Sequence, residues 1–272
     1  MTEPRATLIN GQSQSLWSVQ DRGLHYGDGL FETLSCVSGR PRWIERHLAR
    51  LALGCERLGL PGPDGELLRA EVLALQGGAS RLLVKIIYTR GVATVRGYRP
   101  AGNEQPTRIV SAYEWSVPAP AEFRLGLTQV PLGINPRLAG LKHLNRLEQV
   151  LAQREAQAAG CHEVAMCTGA GEVICGSMSN LFVVRGGEWL TPPVDACGVA
   201  GVMRSLVLEL APRLNIAVRI AALTPRDLEQ AESVWVTNVR LGLQSVHWYQ
   251  DRRLAVDPRA ARLQECIDAT LA

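Results

Sequence analysis

The sequence predicts a mixed α+β fold in two parts, and three observations predict it. Runs of β-branched and aromatic residues recur along the chain, as at 82–89 and 108–115. Helical periodicity is confined to a few segments, clearest at 44–58, where Ile44, Leu48, Leu51, Cys55 and Leu58 fall on one side. The Pro-rich stretch Ser116-Val117-Pro118-Ala119-Pro120-Ala121 separates two halves, each with its own pattern of elements. Strands come in clusters, with no βαβ alternation that would require a parallel sheet. The division expected is a smaller N-terminal domain over 1–117, a linker over 118–122 and a larger C-terminal domain over 123–272.

Taken in order, the chain opens with a hairpin at 7–12, signalled by Asn10-Gly11. A second hairpin is expected from 30–37, a turn at Ser38-Gly39-Arg40-Pro41, and a return strand at 42–44. Helices follow at 44–58 and 66–75, the latter ended by Gly77-Gly78, then the strands 82–89 and 108–115. Between those strands lies 90–100, a loop long enough to be functional. The second half starts with a strand at 123–130. After Lys142 comes a helix whose apolar face reads Leu144, Leu147, Val150, Leu151 and Ala158. Strands are expected at 163–167, 172–175, 180–185 and 188–191, a helix at 202–214 entered from Gly198-Val199-Ala200-Gly201, and strands at 217–223 and 233–237 around a short helix at 225–231. A strand near 244–248 and a helix at 258–271 close the pattern.

Composition narrows the function. With 46% hydrophobic and 20% charged residues, the 272-residue chain is an ordinary globular protein able to bury a core. A net charge of +3 gives no argument for nucleic acid or a membrane surface. Seven cysteines, an odd number without Cys-x-x-Cys spacing, argue against a zinc site or a disulfide framework, and no metal is expected. There is no apolar leader pattern at 1–7 and no apolar run of 18 residues, so the expectation is a soluble, cytoplasmic protein.

One residue type is used sparingly. Of 29 basic residues only two, Lys85 and Lys142, are lysines. Arginine stays protonated in a protein, whereas a lysine can be deprotonated by burial or a neighbouring cation and then serves as nucleophile or base. Lys142 sits between a turn-prone apolar stretch (133–140) and the start of a helix. Two readings of it stand: an activated amine, or an ordinary solvated lysine flanking a helix. Lys85 reads as a strand residue on a polar face.

Four segments together decide more. Tyr26-Gly27-Asp28-Gly29-Leu30-Phe31-Glu32-Thr33, Arg46-His47-Leu48-Ala49-Arg50-Leu51, the stretch around Lys142 and Ala200-Gly201-Val202-Met203-Arg204 resemble, in this order, the pyridoxal-phosphate enzymes of fold type IV. That family includes branched-chain and D-amino-acid aminotransferases and aminodeoxychorismate lyases. Residues 139–150, Ala-Gly-Leu-Lys-His-Leu-Asn-Arg-Leu-Glu-Gln-Val, look most like the bacterial lyases. The resemblance implies a smaller N-terminal α/β sandwich and a larger, barrel-like C-terminal β domain with flanking helices. It also implies a homodimer, with the site between the domains and near the partner chain. It further implies that Lys142 forms the Schiff base with the cofactor and then acts as acid and base. By the same resemblance Arg50 binds the cofactor phosphate, where a guanidinium fork suits the anion. Gly201, Val202 and Met203 would offer helix-terminal N–H groups to it, and Asn238 with its neighbours would add a last contact.

At one position the chain departs from the family. The residue five before Asn180, usually a glutamate paired with the pyridine nitrogen, is Cys175. A thiol is a weak partner, so the ring becomes a poorer electron sink, which hampers a transaminase more than an elimination that ends in an aromatic ring. Glu172 is the other carboxylate nearby, three residues off and facing the opposite side of a strand.

The lyases take 4-amino-4-deoxychorismate, a dianion, to 4-aminobenzoate and pyruvate in folate synthesis. For its carboxylates the loop residues Arg90, Arg96 and Tyr98, and Arg240, are the candidates, with Tyr26 and Phe31 lining the pocket. The alternative for the loop arginines is ordinary surface charge. Two rivals to the lyase reading remain: a D-amino-acid or branched-chain aminotransferase, and a non-catalytic homologue.

Overall fold

A computed structural model describes residues 3–115 and 120–270, which divide into two units. The first holds the residues before 116 together with Leu141–Asn145, and the second holds 120–140 and 146–270. Residues 116–119, where the expected boundary and the first two positions of the expected linker fall, lie outside the described residues.

In the first unit, β1 (Ala6–Ile9) and β2 (Gln12–Ser13) are joined by Asn10 and Gly11. Both have positive φ (51° and 81°), as the Asn-Gly signal requires. A short helix that the sequence did not announce, α1 (Arg22–Tyr26), is capped by Asp21, whose side chain accepts from the Gly23 N–H. It ends on Gly27 at φ 64°. Then come β3 (Gly29–Val37), β4 (Arg40–Pro41) and α2 (Ile44–Leu58). The second hairpin departs from expectation: Ser38 and Gly39, at φ 50° and 74°, make the turn tight, so the return strand is Arg40–Pro41 and not 42–44. Trp43, itself left-handed at φ 52°, already starts the helix. α3 (Gly65–Ala74) is capped by Asp64, and β5 (Arg81–Thr89) and β6 (Thr107–Glu114) complete the unit. The six strands form one antiparallel sheet in the order β2-β1-β6-β5-β3-β4.

The helices bury Leu48, Leu51, Cys55, Leu68 and Val72 against Leu34, Val84 and Ile86. Each such side chain contributes about 2 kcal/mol on leaving water. This packing consumes the even-numbered residues of β3 and β5. Because side chains alternate across a sheet, the half-buried Phe31, Thr33, Lys85 and Ile87 share the opposite face.

The second unit runs β7 (Arg124–Leu127), α4 (Leu147–Ala158), β8 (Glu163–Cys167), β9 (Val173–Gly176), β10 (Asn180–Arg185), β11 (Glu188–Thr191) and α5 (Val202–Leu210). After a 3-10 turn come β12 (Val218–Ile220), α6 (Pro225–Glu229), β13 (Ser233–Asn238), β14 (Gly242–Val246), β15 (Trp248–Tyr249), β16 (Arg252–Arg253) and α7 (Arg259–Ala269). Two five-stranded sheets result, β12-β11-β10-β13-β14 and β16-β15-β7-β8-β9. They share a core in which Leu125, Ala165 and Val173 meet Leu181, Val183, Val234, Val236 and Val246.

Two sequence expectations fail here. β7 and β8 pair in parallel across α4, and β11 and β12 pair in parallel across α5, so βαβ units are present after all. The long irregular stretch between β7 and α4 hid the first of them. The second is the helix face. Leu147, Val150 and Leu151 of α4 are exposed, while Ala152 and Ala156 are buried. The helix packs on β8 through its small residues, which turns the larger ones outward.

Candidate active site

In the first unit Lys142 lies on an extended segment, not on a helix. Phe31 N–H donates to the Lys142 carbonyl (2.9 Å), Leu144 N–H donates to the Gly29 carbonyl (3.0 Å), and Leu30 bridges His143. β4 pairs only with the far end of β3, so the Gly29–Phe31 end is left to the lysine segment. Leu141 is buried in the same core as α2, and Asn145 donates to the Gly27 carbonyl. A short segment anchored in this way holds its one long side chain in place. Lys142 Nζ stands 4.1 Å from the Phe31 ring centroid, and Lys85 Nζ stands 5.4 Å from the same centroid. The two lysines of the chain thus meet one phenyl ring. Lys85 is half-buried, which pushes its ammonium below the usual lysine range.

Arg50 is not on a solvated helix face. Its Nε and Nη2 fork onto Glu32 (2.8 and 2.5 Å), and His47 Nδ1 lies 2.7 Å from Glu32 Oε2. Glu32 and His47 are fully enclosed. Burial raises the Glu32 carboxyl, but Arg50 and His47 outweigh it and hold it at about 2. Burial pushes the His47 imidazole down, against the Glu32 bond and with the help of the Arg50 and Lys142 charges.

Of the proposed substrate residues, Tyr26 and Tyr98 come together, their rings 5.3 Å apart at 58°. Tyr98 and Arg96 are exposed. Arg90 is 9% exposed, and its guanidinium donates to both Asp28 oxygens and to the Leu58 and Gly59 carbonyls, clamping that carboxylate to the end of α2.

In the second unit Gly201 is the N-cap of α5 with no side chain capping it, which leaves the first N–H groups of Val202, Met203 and Arg204 directed outward. A Cβ at Gly201 would collide with Asn180 Oδ1, while Asn180 Nδ2 holds the Val199 carbonyl (2.9 Å). Asn180 pairs with Thr237 across β10 and β13, so their side chains share a face. Thr237 is 1% exposed, and among the described residues its hydroxyl has no hydrogen-bond partner. Asn238 is otherwise engaged: its oxygen accepts from the Arg240 and Leu241 N–H groups, and its amide reaches the Met178 carbonyl. Arg240 itself is exposed. Cys175 is buried, and burial, with the Glu163 charge adding to it, pushes its thiol up to about 12. The turn after it is built on Glu163, which accepts from the Ser177 and Met178 N–H groups and the Ser177 and Ser179 hydroxyls.

Sequence reasoning missed Glu32, His47, Asn180 and Thr237. Glu32 and His47 lay inside the motif segments but were given no role, Asn180 served only as the landmark from which Cys175 was counted, and Thr237 carried no signal. Glu32, His47 and Thr237 matter through partners distant in sequence.

Residues 29–249 match the family model described as amino-transferase class IV. The chain belongs to the class IV aminotransferase family. Among curated relatives it is 33% identical to the aminodeoxychorismate lyase of Vibrio harveyi, over 88% of this chain and 89% of that one. It is 30% identical to a putative branched-chain-amino-acid aminotransferase of Methanocaldococcus jannaschii, over 81% and 78%. Among solved structures, 4-amino-4-deoxychorismate lyase from Pseudomonas aeruginosa superposes with a TM-score of 0.89 at 39% identity, covering 97% of this chain and 98% of that one. The branched-chain aminotransferase of Escherichia coli, at 21% identity and a TM-score of 0.87, shares the fold.

Class IV aminotransferases of this fold use pyridoxal phosphate. The residues fit such a group on two observations. An uncapped nine-residue helix offers N–H groups and a positive dipole end suited to a phosphate. On the face that Asn180 shares, beside Gly201, stands the orphaned Thr237 hydroxyl, a group that a buried protein interior normally pairs.

Proposed function

We propose that this class IV chain is an aminodeoxychorismate lyase, converting 4-amino-4-deoxychorismate to 4-aminobenzoate and pyruvate for folate synthesis. The observation that carries the reading is 33–39% identity, over about nine-tenths or more of the chain, to two proteins bearing that name. Bound pyridoxal phosphate supplies an aldehyde that bonds covalently to amines, and an electron sink.

Lys142 anchors the cofactor at rest. Its segment is fixed by β3, and Phe31 gives its ammonium a face to rest on. As a free amine, Lys142 would take the proton from ring C4 and deliver a proton to the methylene carbon of the departing enolpyruvyl group, which would leave as pyruvate. The C4 proton and the enolpyruvyl oxygen are lost from adjacent carbons, and the ring becomes aromatic. Arg50, oriented by Glu32 and His47, and the N–H groups of Gly201, Val202 and Met203 are the groups that would hold the phosphate. Thr237 supplies the neighbouring contact through its hydroxyl, a better candidate than Asn238, whose side chain is engaged in its own turn. Cys175 would meet the pyridine nitrogen as a neutral thiol, since burial pushes it up to about 12. An elimination driven by aromaticity tolerates this weak partner better than transamination does. Tyr26, Phe31, Arg96, Tyr98 and Arg240 meet the dianionic substrate.

The protein works as a cytoplasmic homodimer. Seven unpaired cysteines suit a reducing compartment. The exposed Leu147, Val150 and Leu151 suit burial against a second copy. Light scattering should return twice the chain mass. The reaction itself is tested with purified protein, pyridoxal phosphate and 4-amino-4-deoxychorismate. Pyruvate formation that Lys142→Ala abolishes supports the reading. Stoichiometric conversion of the cofactor to its pyridoxamine form by an amino acid, without pyruvate, would favour the aminotransferase.

A further inference from the structure

Arg22 is 3% exposed and sits on α1, yet most of its hydrogen bonds belong to another part of the chain. Its Nε donates to Asp28 Oδ2 (2.8 Å), its Nη1 to the Gly97 carbonyl (3.0 Å) and its Nη2 to the Tyr98 carbonyl (2.6 Å). Its guanidinium lies over the Tyr26 ring, 4.9 Å from the centroid, and that ring meets Tyr98. One buried side chain therefore joins α1, the Asp28 carboxylate and the middle of the loop between β5 and β6.

The rest of that loop is tied at its ends. The Arg22 N–H donates to the Gly91 carbonyl, and the Ala93 N–H donates to the Gln20 carbonyl. A side chain at Gly91 would run into the Gln105 carbonyl, so the two ends of the loop pass close together there. Glu104 accepts from the Ala101 and Gly102 N–H groups. Among the described residues, 94–98 have no such backbone ties apart from the two carbonyls that Arg22 grips. Gly97 is at φ 104°, a conformation that side chains rarely adopt, so the strand of loop under the grip has a specific shape. Asp28 sets the direction of the grip. It is held by Arg90 as well as Arg22, and together they outweigh burial and keep its carboxyl below the usual range. With one edge of Arg22 fixed on that carboxylate, the planar guanidinium has its remaining donors aimed at the two carbonyls.

We infer that Arg22 is a positioning residue for substrate recognition: by holding the Gly97 and Tyr98 carbonyls it presets the Arg96–Tyr98 segment in the shape that receives the anionic substrate. The inference rests on the reading of Arg96 and Tyr98 as substrate contacts. Without the grip, the segment would be ordered only when substrate binds, and that ordering would weaken binding without touching the groups that move protons.

The test uses the loaded enzyme with Arg22→Met and Arg22→Lys. KM for 4-amino-4-deoxychorismate should rise about tenfold in both, the order expected when the ordering of two side chains is shifted onto the binding step. The rate at saturation should stay within about twofold, and the absorption spectrum and cofactor affinity should match wild type. Lysine should not rescue, since one ammonium cannot reach three acceptors in a fixed fork. Limited proteolysis gives a readout independent of turnover: trypsin should cut after Arg96 faster than in wild type, while β3 and β5 stay intact. Arg96→Ala and Tyr98→Ala separate the two readings. If both leave KM unchanged, the substrate reading of the loop fails and the inference with it. If they raise KM while Arg22→Met does not, the inference alone is overturned. It is equally overturned if Arg22→Met loses cofactor affinity and saturated rate along with KM, because Arg22 would then be merely structural.

Discussion

Glu32 is a carboxylate shut away from water between two basic side chains, Arg50 and His47. It is fully enclosed, accepts Arg50 through a two-bond fork and His47 through a third bond, and its carboxyl is held at about 2 against burial. The sign of its effect on stability follows. A group whose pKa is depressed on folding stabilises the folded state above its unfolded value, 4.5, and loses that contribution as the pH falls toward 2. Denaturant titrations should therefore show wild-type stability dropping through that window, with Glu32→Gln giving a flatter profile. At neutral pH the same variant leaves Arg50 short of its counter-charge and should cost about 3 kcal/mol. Thr237 gives the opposite sign. Its hydroxyl is buried and unpartnered, so Thr237→Val should raise the stability of the cofactor-free protein by about 1 kcal/mol. If that hydroxyl serves the phosphate, the same change should weaken pyridoxal phosphate binding about tenfold, the equivalent of one lost hydrogen bond.

At the scale of elements, the decisive feature is the start of α5. Gly201 is required there by contact, not by conformation: its φ is −68°, but any Cβ meets Asn180. Gly201→Ala should leave the circular dichroism of the cofactor-free protein unchanged and weaken phosphate binding at least tenfold, read by inorganic phosphate or cofactor titration. This scale also shows what the sequence could and could not reveal. The helix at 44–58 and the strands at 180–185 and 188–191 were legible because periodicity and punctuation agreed. α1 was not legible, because five residues are too few to show a period. α4 was misread because its buried face is made of alanines, which a hydrophobic pattern ignores in favour of Leu147, Val150 and Leu151. The parallel pairing of β7 with β8 depends on a crossover that no local signal marks. For the site, the sequence singled out Lys142 and Gly201 through rarity and motif. The hydrogen bonds of Arg90 were not legible, because Asp28 and the carbonyls of residues 58 and 59 are distant from it in sequence.

For the molecule as a whole, all seven cysteines are free thiols. Cys36, Cys55, Cys175 and Cys197 are buried, and burial pushes Cys55 and Cys175 up to about 12. An aromatic disulfide reagent should accordingly titrate at most Cys161, Cys167 and Cys266 in the native protein and all seven after unfolding. More than three fast-reacting thiols in the native protein would contradict the burial described. Among the described residues no helix is long and apolar enough to cross a membrane, and no cluster of potential metal ligands is present.

The central claim is that one of only two lysines carries the chemistry, and that it is Lys142. Borohydride reduction of the protein loaded with pyridoxal phosphate, followed by peptide mass spectrometry, tests it most directly. The visible absorption band should be lost and a pyridoxyl group should be fixed on the peptide containing Lys142, absent in Lys142→Ala. A label on Lys85 instead, or no label on either lysine of a protein saturated with cofactor, would contradict it.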